Sequence, residues 1–394
     1  MAGGGGRSGR MARREPGASG VRIAAFGVDV HGRSRDRQTV RPRSLEPDLI
    51  EKRCAVTDEK LTWARQRRAS ELMVTGISSN PTILGHAMVA GHDYDESLRR
   101  LVADGVRDSQ VLVYAAAFED LGAAASLFRQ VWEDTCGADG YVSIEVPPDL
   151  AYDAPATAAL AGRLHEEAGF PNLLAKIPGT PQGLVAMEET VAAGIGVNVT
   201  PLFSDAQYLQ SAEAYLRALE RRLDAGEDLG VPSVASVFVS RWDKAADPML
   251  PAHLHGTLGL AMAKKAYACY RRLLSGERWG ALAAAGALPQ RLLWASTSVK
   301  DPGLPDSYYV ANLVAPGTVD TVPQKTLLAF ADHGSVEALL EADAEAAEAQ
   351  VAAAATEGVD ADALAGSLQR QGARAFSADW AGVLDAIGVK VAGM

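Results

Sequence analysis

The chain has 394 residues, 48% of them hydrophobic, which is enough for one large α/β barrel or for two to three ordinary domains. Its formal net charge is −11, although residues 1–68 hold 16 Lys/Arg against 8 Asp/Glu, and the strongly acidic remainder disfavours nucleic acid as the main partner. No apolar run predicts a membrane span, and residues 1–14 lack the apolar core of a secretory signal, so we expect a cytoplasmic protein without membrane partners.

The first predicted unit is a basic, Gly- and Arg-rich segment at residues 1–66, which we expect to be poorly ordered or divergent. Within it, residues 21–30 have the composition of a strand that ends near Asp29. The hydrophobic pattern becomes regular only after this segment, so residues 67–394 are predicted to form the folded domain. The positive charge of the segment leaves a second interpretation open, in which it is a tail that binds polyanions.

Within the folded domain, short apolar runs rich in β-branched residues alternate with stretches of helical periodicity. Strands are predicted at residues 71–77, 141–146, 172–178, 195–201, 233–239, 291–297 and 318–322. Residues 21–30 could supply an eighth strand, and the alternation then predicts a (β/α)8 TIM barrel. Two Ala-rich stretches at residues 335–356 and 361–387 predict extra helices at the C-terminus.

Polar side chains recur where the predicted strands end. They are Asn80, Glu145, Lys176, Asn198, Thr200, Ser236, Arg241 and Lys300. Each has an ordinary explanation when taken alone, such as a turn residue, a surface charge or a β-forming threonine. In a (β/α)8 barrel, however, the C-terminal ends of all strands lie on one face, which carries the catalytic groups. The recurrence therefore predicts one shared site on that face.

A lysine inside an apolar strand is the most informative of these residues, because an amine is costly to bury unless it is paired. Lys176 could attack a carbonyl carbon and form a Schiff base. It could equally extend its ammonium group out of the strand end into water. In the first interpretation, Glu145 would move protons through a water held by Thr200, and a carbon–carbon bond of a ketose could be broken.

A phosphate site is predicted beside this lysine. Ser236, Arg241 and Lys300 supply a hydroxyl group and two cations that suit a phosphate. The sequence contains no HExxH or paired-cysteine pattern for a metal, and no Walker motif or GxGxxG followed by an acid for a nucleotide. We therefore expect small sugar phosphates as partners, with no metal and no organic cofactor.

Several longer motifs resemble the transaldolase family, in the longer form found in bacteria such as actinomycetes. The similar runs are residues 76–84 (GISSNPTIL), 142–146 (VSIEV), 176–183 (KIPGTPQG), 194–208 (GIGVNVTPLFSDAQY), 233–243 (SVASVFVSRWD), 293–302 (LWASTSVKDP), 308–327 and 376–387. Their common order over roughly residues 70–394 makes the resemblance specific.

The resemblance implies a class I, Schiff-base aldolase barrel that needs no cofactor. Its reaction would transfer a dihydroxyacetone unit from sedoheptulose 7-phosphate to glyceraldehyde 3-phosphate, giving erythrose 4-phosphate and fructose 6-phosphate in the pentose phosphate pathway. By motif position, the implied roles are a Schiff-base amine at Lys176, a catalytic water held by Glu145 and Thr200, donor hydroxyl contacts at Asn80 and Asn198, and phosphate contacts at Ser236, Arg241 and Lys300. The assembly is not specified, and a homodimer stays open.

The chain departs from the family pattern at the first strand, where the family carries an acid in a WLDDL-like run that would take the proton from the C4 hydroxyl group. The corresponding spacing falls near Arg53, and Asp29 is the nearest look-alike. Asp29 could serve after a longer connection, or Asp48 or Asp58 could replace it. Alternatively the N-terminus is altered, and the chain is a catalytically impaired relative that binds partners through its basic segment.

Overall fold

A computed structural model describes residues 26–28, 74–79, 81–92, 94–342 and 344–394. Eight strands form a closed barrel in chain order, each paired with its neighbours along the sequence. The strands are β1 (Phe26–Val28), β2 (Val74–Ser78), β3 (Val142–Glu145), β4 (Leu173–Pro178), β5 (Val197–Leu202), β6 (Ser233–Phe238), β7 (Gln290–Ala295) and β8 (Thr318–Val322). The pairs from β2 to β8 are all parallel, so the predicted (β/α)8 architecture is confirmed.

Helices surround these strands and extend beyond the last one. They are α1 (Pro81–Ala90), α2 (Asp95–Ala103), α3 (Ser109–Asp134), α4 (Ala154–Ala168), α5 (Pro181–Ala192), α6 (Asp205–Asp224), α7 (Ser240–Ala246), α8 (Leu258–Leu274), α9 (Glu277–Ala284), α10 (Tyr308–Asn312), α11 (Gln324–His333), α12 (Glu345–Thr356) and α13 (Ala361–Ala392), with short 3₁₀ turns at Pro148–Leu150, Asp247–Met249 and Ala252–Leu254. The predicted C-terminal helices correspond to α12 and α13, although α12 begins at Glu345 and not at the predicted residue 335.

Local chemistry explains where several of these helices begin. Before α3, α4 and α13, an aspartate side chain accepts a hydrogen bond from the backbone N–H of the third helical residue. Thr180 and Ser204 do the same before α5 and α6. Each cap satisfies a backbone donor that the helix itself leaves free. The βα junctions that follow β4 and β5 are therefore fixed by side chains next to the strand ends.

Strand β1 differs from the predicted eighth strand in direction. Its three described residues pair antiparallel with both β2 and β8. Phe26 lies opposite Ile77 and Val28 opposite Val74, so β1 runs from the C-terminal end of β2 towards its N-terminal end. Antiparallel pairing satisfies the same backbone groups, and the strand composition did not specify direction. Asp29 and the predicted boundary between residues 66 and 67 lie outside the described residues.

The barrel interior is filled below the strand ends by an apolar layer. Leu174, Val234, Leu293, Ala295 and Val319 come from β4, β6, β7 and β8 and contact one another as a buried cluster. Such a layer is typical of barrels of this size, whose interior is packed rather than open. Polar side chains that point inward near the C-terminal ends of the strands therefore lie above an apolar floor.

Helix α3 is long and apolar enough to cross a membrane, whereas the sequence analysis predicted no such segment. Of its most apolar 18-residue stretch, 44% is buried inside the protein. Its buried residues, among them Leu112, Leu121 and Ala124, belong to the main hydrophobic core. This packing accounts for the apolar composition of α3 as part of the helical layer around the barrel.

A buried carboxyl group on β8 makes the stability of the fold pH-dependent. Burial raises the pKa of Asp320 to about 8, and Thr297 donates a hydrogen bond to its Oδ1 at 3.0 Å. Its Oδ2 has no hydrogen-bond partner in the part of the chain that the structure describes. Because the folded protein holds this proton more firmly than the unfolded chain, the contribution of Asp320 to stability is fully present below about pH 4 and is lost as the pH rises towards 8.

The variant Asp320→Asn is therefore expected to lose less thermal stability than the wild type between pH 5 and pH 9. Asparagine keeps the acceptor for Thr297 but cannot ionise, so the difference in Tm between the two pH values should shrink by several degrees. Thermal unfolding followed by circular dichroism measures this. Asp224→Asn, at an exposed position at the end of α6, is the matched control and should leave the pH dependence unchanged. Equal pH profiles for Asp320→Asn and the wild type would contradict the expectation.

Candidate active site

The centre of the site is a buried ion pair between neighbouring strands. Glu145 at the end of β3 is in register with Lys176 in β4, and Lys176 Nζ lies 2.8 Å from Glu145 Oε2. Both side chains are buried, and Nζ also donates a hydrogen bond to the backbone oxygen of Ser79 at 2.9 Å. The lysine therefore does not extend into solvent as the ordinary interpretation required. It is held among hydrogen-bond acceptors above the apolar floor.

A second polar group lies on the neighbouring strands β5 and β6. Asn198 is in register with Lys176 and is fully buried. Its Oδ1 accepts a hydrogen bond from Ser236 Oγ at 2.6 Å, and its Nδ2 donates to Ser143 Oγ at 3.3 Å. These contacts join three strands and fix the amide plane of Asn198. Hydroxyl and amide groups therefore line the interior next to the amine.

Thr200 completes this row at the end of β5, where it is buried and in register with Pro178 of β4. Its backbone oxygen accepts a hydrogen bond from the N–H of Gly179 at 2.9 Å. Gln369 of α13 donates to the backbone oxygens of Gly179 at 2.7 Å and of Pro201 at 3.2 Å. The C-terminal helix thus contacts the ends of the two strands that carry Lys176 and Thr200.

Arg241 lies in the first turn of α7, directly after β6. Its Cζ atom is 5.1 Å from the ring centroid of Phe238 and 5.7 Å from that of Phe376. Burial lowers the pKa of the guanidinium group, which nevertheless stays protonated because arginine titrates far above neutrality. No carboxylate forms an ion pair with Arg241 among the described residues. A partly buried cation without a carboxylate partner is suited to an anionic ligand.

The structure does not bring all of the predicted residues together. Lys300 is exposed on the loop after β7, and its Nζ donates a hydrogen bond to Ser298 Oγ at 2.7 Å. Asn80 and the candidate acids Asp29, Asp48 and Asp58 lie outside the described residues. The assembled group is therefore Lys176, Glu145, Asn198, Thr200 and Ser236, with Arg241 beside it.

Sequence reasoning missed two residues that support this group. Ser143 precedes Glu145 by two positions, so strand alternation places both on the same face, and this signal was available. Tyr114 of α3 donates a hydrogen bond from its hydroxyl group to the backbone oxygen of Glu145 at 2.9 Å. Burial raises the pKa of Tyr114 well above its usual value, which keeps the hydroxyl group a donor. Nothing local in the sequence indicates the second contact.

This arrangement can perform amine chemistry on a carbonyl compound. A lysine with an adjacent carboxylate can add to a carbonyl carbon while the carboxylate carries protons. Among the residues that the structure describes, no cluster of three His, Cys, Asp or Glu side chains could hold a metal ion. The functional groups at hand are the amine, one carboxylate, hydroxyl groups, an amide and a guanidinium group.

Comparisons with known proteins agree with this chemistry. The sequence profile of the family described as Transaldolase/Fructose-6-phosphate aldolase matches residues 55–387. A transaldolase of Thermobifida fusca is 44% identical over 328 residues, which cover 81% of this chain and 89% of that protein. Transaldolase 1 of Streptomyces avermitilis is 43% identical over 330 residues, covering 81% and 87%. A transaldolase of Frankia alni is 43% identical over 323 residues, covering 80% and 87%.

Proposed function

Because the chain belongs to the transaldolase/fructose-6-phosphate aldolase family, we propose that Lys176 is the amine that carries the dihydroxyacetone unit as a Schiff base. The protein is an enzyme, a transaldolase of the pentose phosphate pathway that acts on sugar phosphates. The observation that carries the assignment of Lys176 is its buried contact with Glu145 at the C-terminal ends of the strands.

The reaction follows from the groups around the amine. Lys176 Nζ adds to the C2 carbonyl of the donor ketose, and loss of water gives an iminium ion. A base removes the proton of the C4 hydroxyl group and the C3–C4 bond breaks, so that C4 leaves as the carbonyl carbon of an aldose phosphate. The electrons of the broken bond enter the iminium ion to form an enamine. The enamine then adds to the aldehyde carbon of the acceptor, and hydrolysis releases the new ketose. Glu145 would carry the protons of imine formation and hydrolysis through a water held by Thr200.

Substrate contacts are assigned by position. Asn198 and Ser236 are buried beside the amine, and Asn198, together with Asn80, would hold hydroxyl groups of the donor. Ser236 with Arg241 would bind its phosphate group, and Lys300 would contact the phosphate from the exposed loop. The hydrogen bonds that fix Asn198 support this assignment, because pre-oriented groups bind a ligand with less loss of side-chain freedom.

The base that removes the proton of the C4 hydroxyl group needs an assignment of its own. Glu145 is the one carboxylate that contacts Lys176 among the described residues, and it is already engaged with the amine. Asp29 stays our first candidate, with Asp48 and Asp58 as alternatives. Loss of such a base typically costs 10²–10⁴-fold in rate. A chain with an altered first strand would therefore form the imine and stall at cleavage.

Borohydride trapping with fructose 6-phosphate tests the proposal directly. We expect intact mass and peptide mapping to show one three-carbon adduct on Lys176, because the imine forms and the C3–C4 bond then breaks. A trapped six-carbon sugar phosphate would support the amine but show that the C4 base is missing. No adduct under conditions in which the protein is folded would overturn the assignment and favour the impaired relative that binds through residues 1–66.

The cellular setting completes the proposal. The enzyme would act in the cytoplasm on small sugar phosphates, without a metal or organic cofactor, and without membrane or nucleic-acid partners. The burial of α3 against the barrel supports the absence of a membrane partner. Residues 1–66 would be a separate basic segment before the barrel domain at residues 67–394. A homodimer stays open.

A further inference from the structure

We propose that Phe376 of α13 is a positioning residue that holds the Arg241 guanidinium group for the phosphate of the substrate. The inference rests on the proposed function, in which Arg241 binds that phosphate. We call Phe376 and Phe238 together the aromatic clamp. Through this clamp, the C-terminal helix would determine how strongly the enzyme prefers phosphorylated over unphosphorylated substrates.

The aromatic clamp consists of two rings from distant parts of the chain. Phe238 ends β6, whereas Phe376 lies in α13, and their ring centroids are 5.1 Å and 5.7 Å from Arg241 Cζ. Contacts of a guanidinium group with aromatic faces at this distance are attractive. A ring that packs against the flat face of a guanidinium group leaves the N–H groups at its edge free. These N–H groups bind phosphate oxygens through two parallel hydrogen bonds.

Arg241 needs such support because a carboxylate does not provide it. Throughout the described ranges, no Asp or Glu forms an ion pair with its guanidinium group, although surface arginines such as Arg217 and Arg278 each contact two glutamates. A carboxylate would fix the side chain but would also neutralise it and compete with a phosphate. Aromatic rings restrict the side chain without adding negative charge, so the cation stays available to the ligand.

Helix α13 is itself firmly placed over the mouth of the barrel. Gln369, Gly372, Phe376 and Trp380 lie on one helix face, because their spacing is three or four residues. Gln369 donates to two backbone oxygens at the ends of β4 and β5, and the Trp380 ring lies 5.8 Å from that of Tyr114, which supports Glu145. One face of α13 therefore contacts the strand end next to Lys176, the tyrosine that hydrogen-bonds to the backbone of Glu145, and Arg241.

The test compares substrates with and without a phosphate in Phe376→Leu and Phe376→Tyr. Leucine keeps the apolar packing but removes the ring, whereas tyrosine keeps the ring. For Phe376→Leu we expect kcat/KM with fructose 6-phosphate to fall about tenfold, mainly through a higher KM. The rate of borohydride trapping with dihydroxyacetone, which carries no phosphate, should stay within about twofold of the wild type, and Phe376→Tyr should restore the KM.

Leu384→Ala is the matched control on the same helix, because Leu384 packs against the main core and is not part of the aromatic clamp. A purely structural effect of α13 would lower the two substrate activities together, as we expect for this control. An equal loss with both substrates in Phe376→Leu, or a failure of Phe376→Tyr to restore the KM, would overturn the proposal.

Gly372→Leu provides a second variant in case Phe376→Leu does not fold. A Cβ atom at Gly372 would lie 3.4 Å from both Arg241 Nη1 and Pro201 Cγ, so we expect the further carbons of a leucine side chain to crowd the guanidinium group. Gly382→Leu, where nothing lies within 4 Å, is its control. We expect Gly372→Leu, but not Gly382→Leu, to raise the KM for fructose 6-phosphate. Equal KM values for the two variants would contradict the role of the aromatic clamp.

Binding of inorganic phosphate separates this inference from the proposed function. By calorimetry, Phe376→Leu should bind phosphate several-fold more weakly than the wild type, whether or not an adduct can be trapped on Lys176. If the wild type binds phosphate but traps no adduct, the amine assignment fails and the positioning role stands. If the affinity is the same in both proteins, the positioning role fails even where trapping succeeds.

Discussion

Replacing Lys176 with alanine is expected to lower the transfer of dihydroxyacetone units by at least about 10⁴-fold and to abolish borohydride trapping. No other amine contacts Glu145 among the described residues, so none can replace the lost nucleophile. The activity is measured as formation of erythrose 4-phosphate from sedoheptulose 7-phosphate and glyceraldehyde 3-phosphate. Trapping is measured on the same samples by intact mass.

The alanine variant needs a stability control, because it leaves Glu145 buried without its cation, and breaking a buried pair is destabilising. Lys176→Arg keeps the positive charge next to Glu145 but cannot form an imine. Both variants should be inactive, although Lys176→Arg should retain more of the wild-type Tm. Lys244→Ala removes an exposed lysine of α7 and should leave transfer and trapping unchanged. Full transfer activity in a folded Lys176→Ala protein would refute the Schiff-base assignment.

Glu145→Gln should have the second largest effect, a loss of about 10²–10⁴-fold in kcat. Glutamine keeps the shape of the side chain and an oxygen that can accept the hydrogen bond from Lys176, but it cannot carry a proton. We expect the adduct with fructose 6-phosphate to form slowly yet remain detectable, because the amine is still present. Single-turnover trapping, compared with steady-state transfer, separates imine formation from the complete reaction.

A matched control for Glu145→Gln is Asp149→Asn, which changes an exposed carboxyl group on the turn that follows β3. Its activity should remain close to that of the wild type. If Glu145→Gln kept its kcat within about threefold, proton transfer would have to run through another group. The carboxylate would then act mainly by holding the amine in place.

The sequence was sufficient to predict the parallel strands and to place the candidate site residues near the strand ends. Each predicted strand from β2 to β8 overlaps the observed one, because a strand buried on both faces has a nearly continuous apolar run. Lys176 and Glu145 were both predicted near strand ends, and parallel strands bring such ends to one edge. The contact between them follows from the barrel architecture without further information.

Other contacts could not be predicted, because they join residues that are distant along the chain. The antiparallel direction of β1 depends on which strands flank it, not on its three residues. Likewise, the packing of Phe376 on Arg241 depends on where α13 crosses the barrel, and helical periodicity alone does not determine this position. Lys300 was predicted from a motif at a loop, and loops are the part of a fold whose course the strand pattern constrains least.

The position of α13 over the barrel mouth has a consequence for the order in which the protein matures during translation. The ribosome synthesises the strands that bear Lys176, Asn198 and Ser236 well before α13, the last described helix. A nascent barrel can therefore bring the amine and its carboxylate together while Arg241 still lacks the second ring of its aromatic clamp. On the roles proposed above, the phosphate-binding part of the site would be completed last, when α13, the last described helix, docks on the barrel.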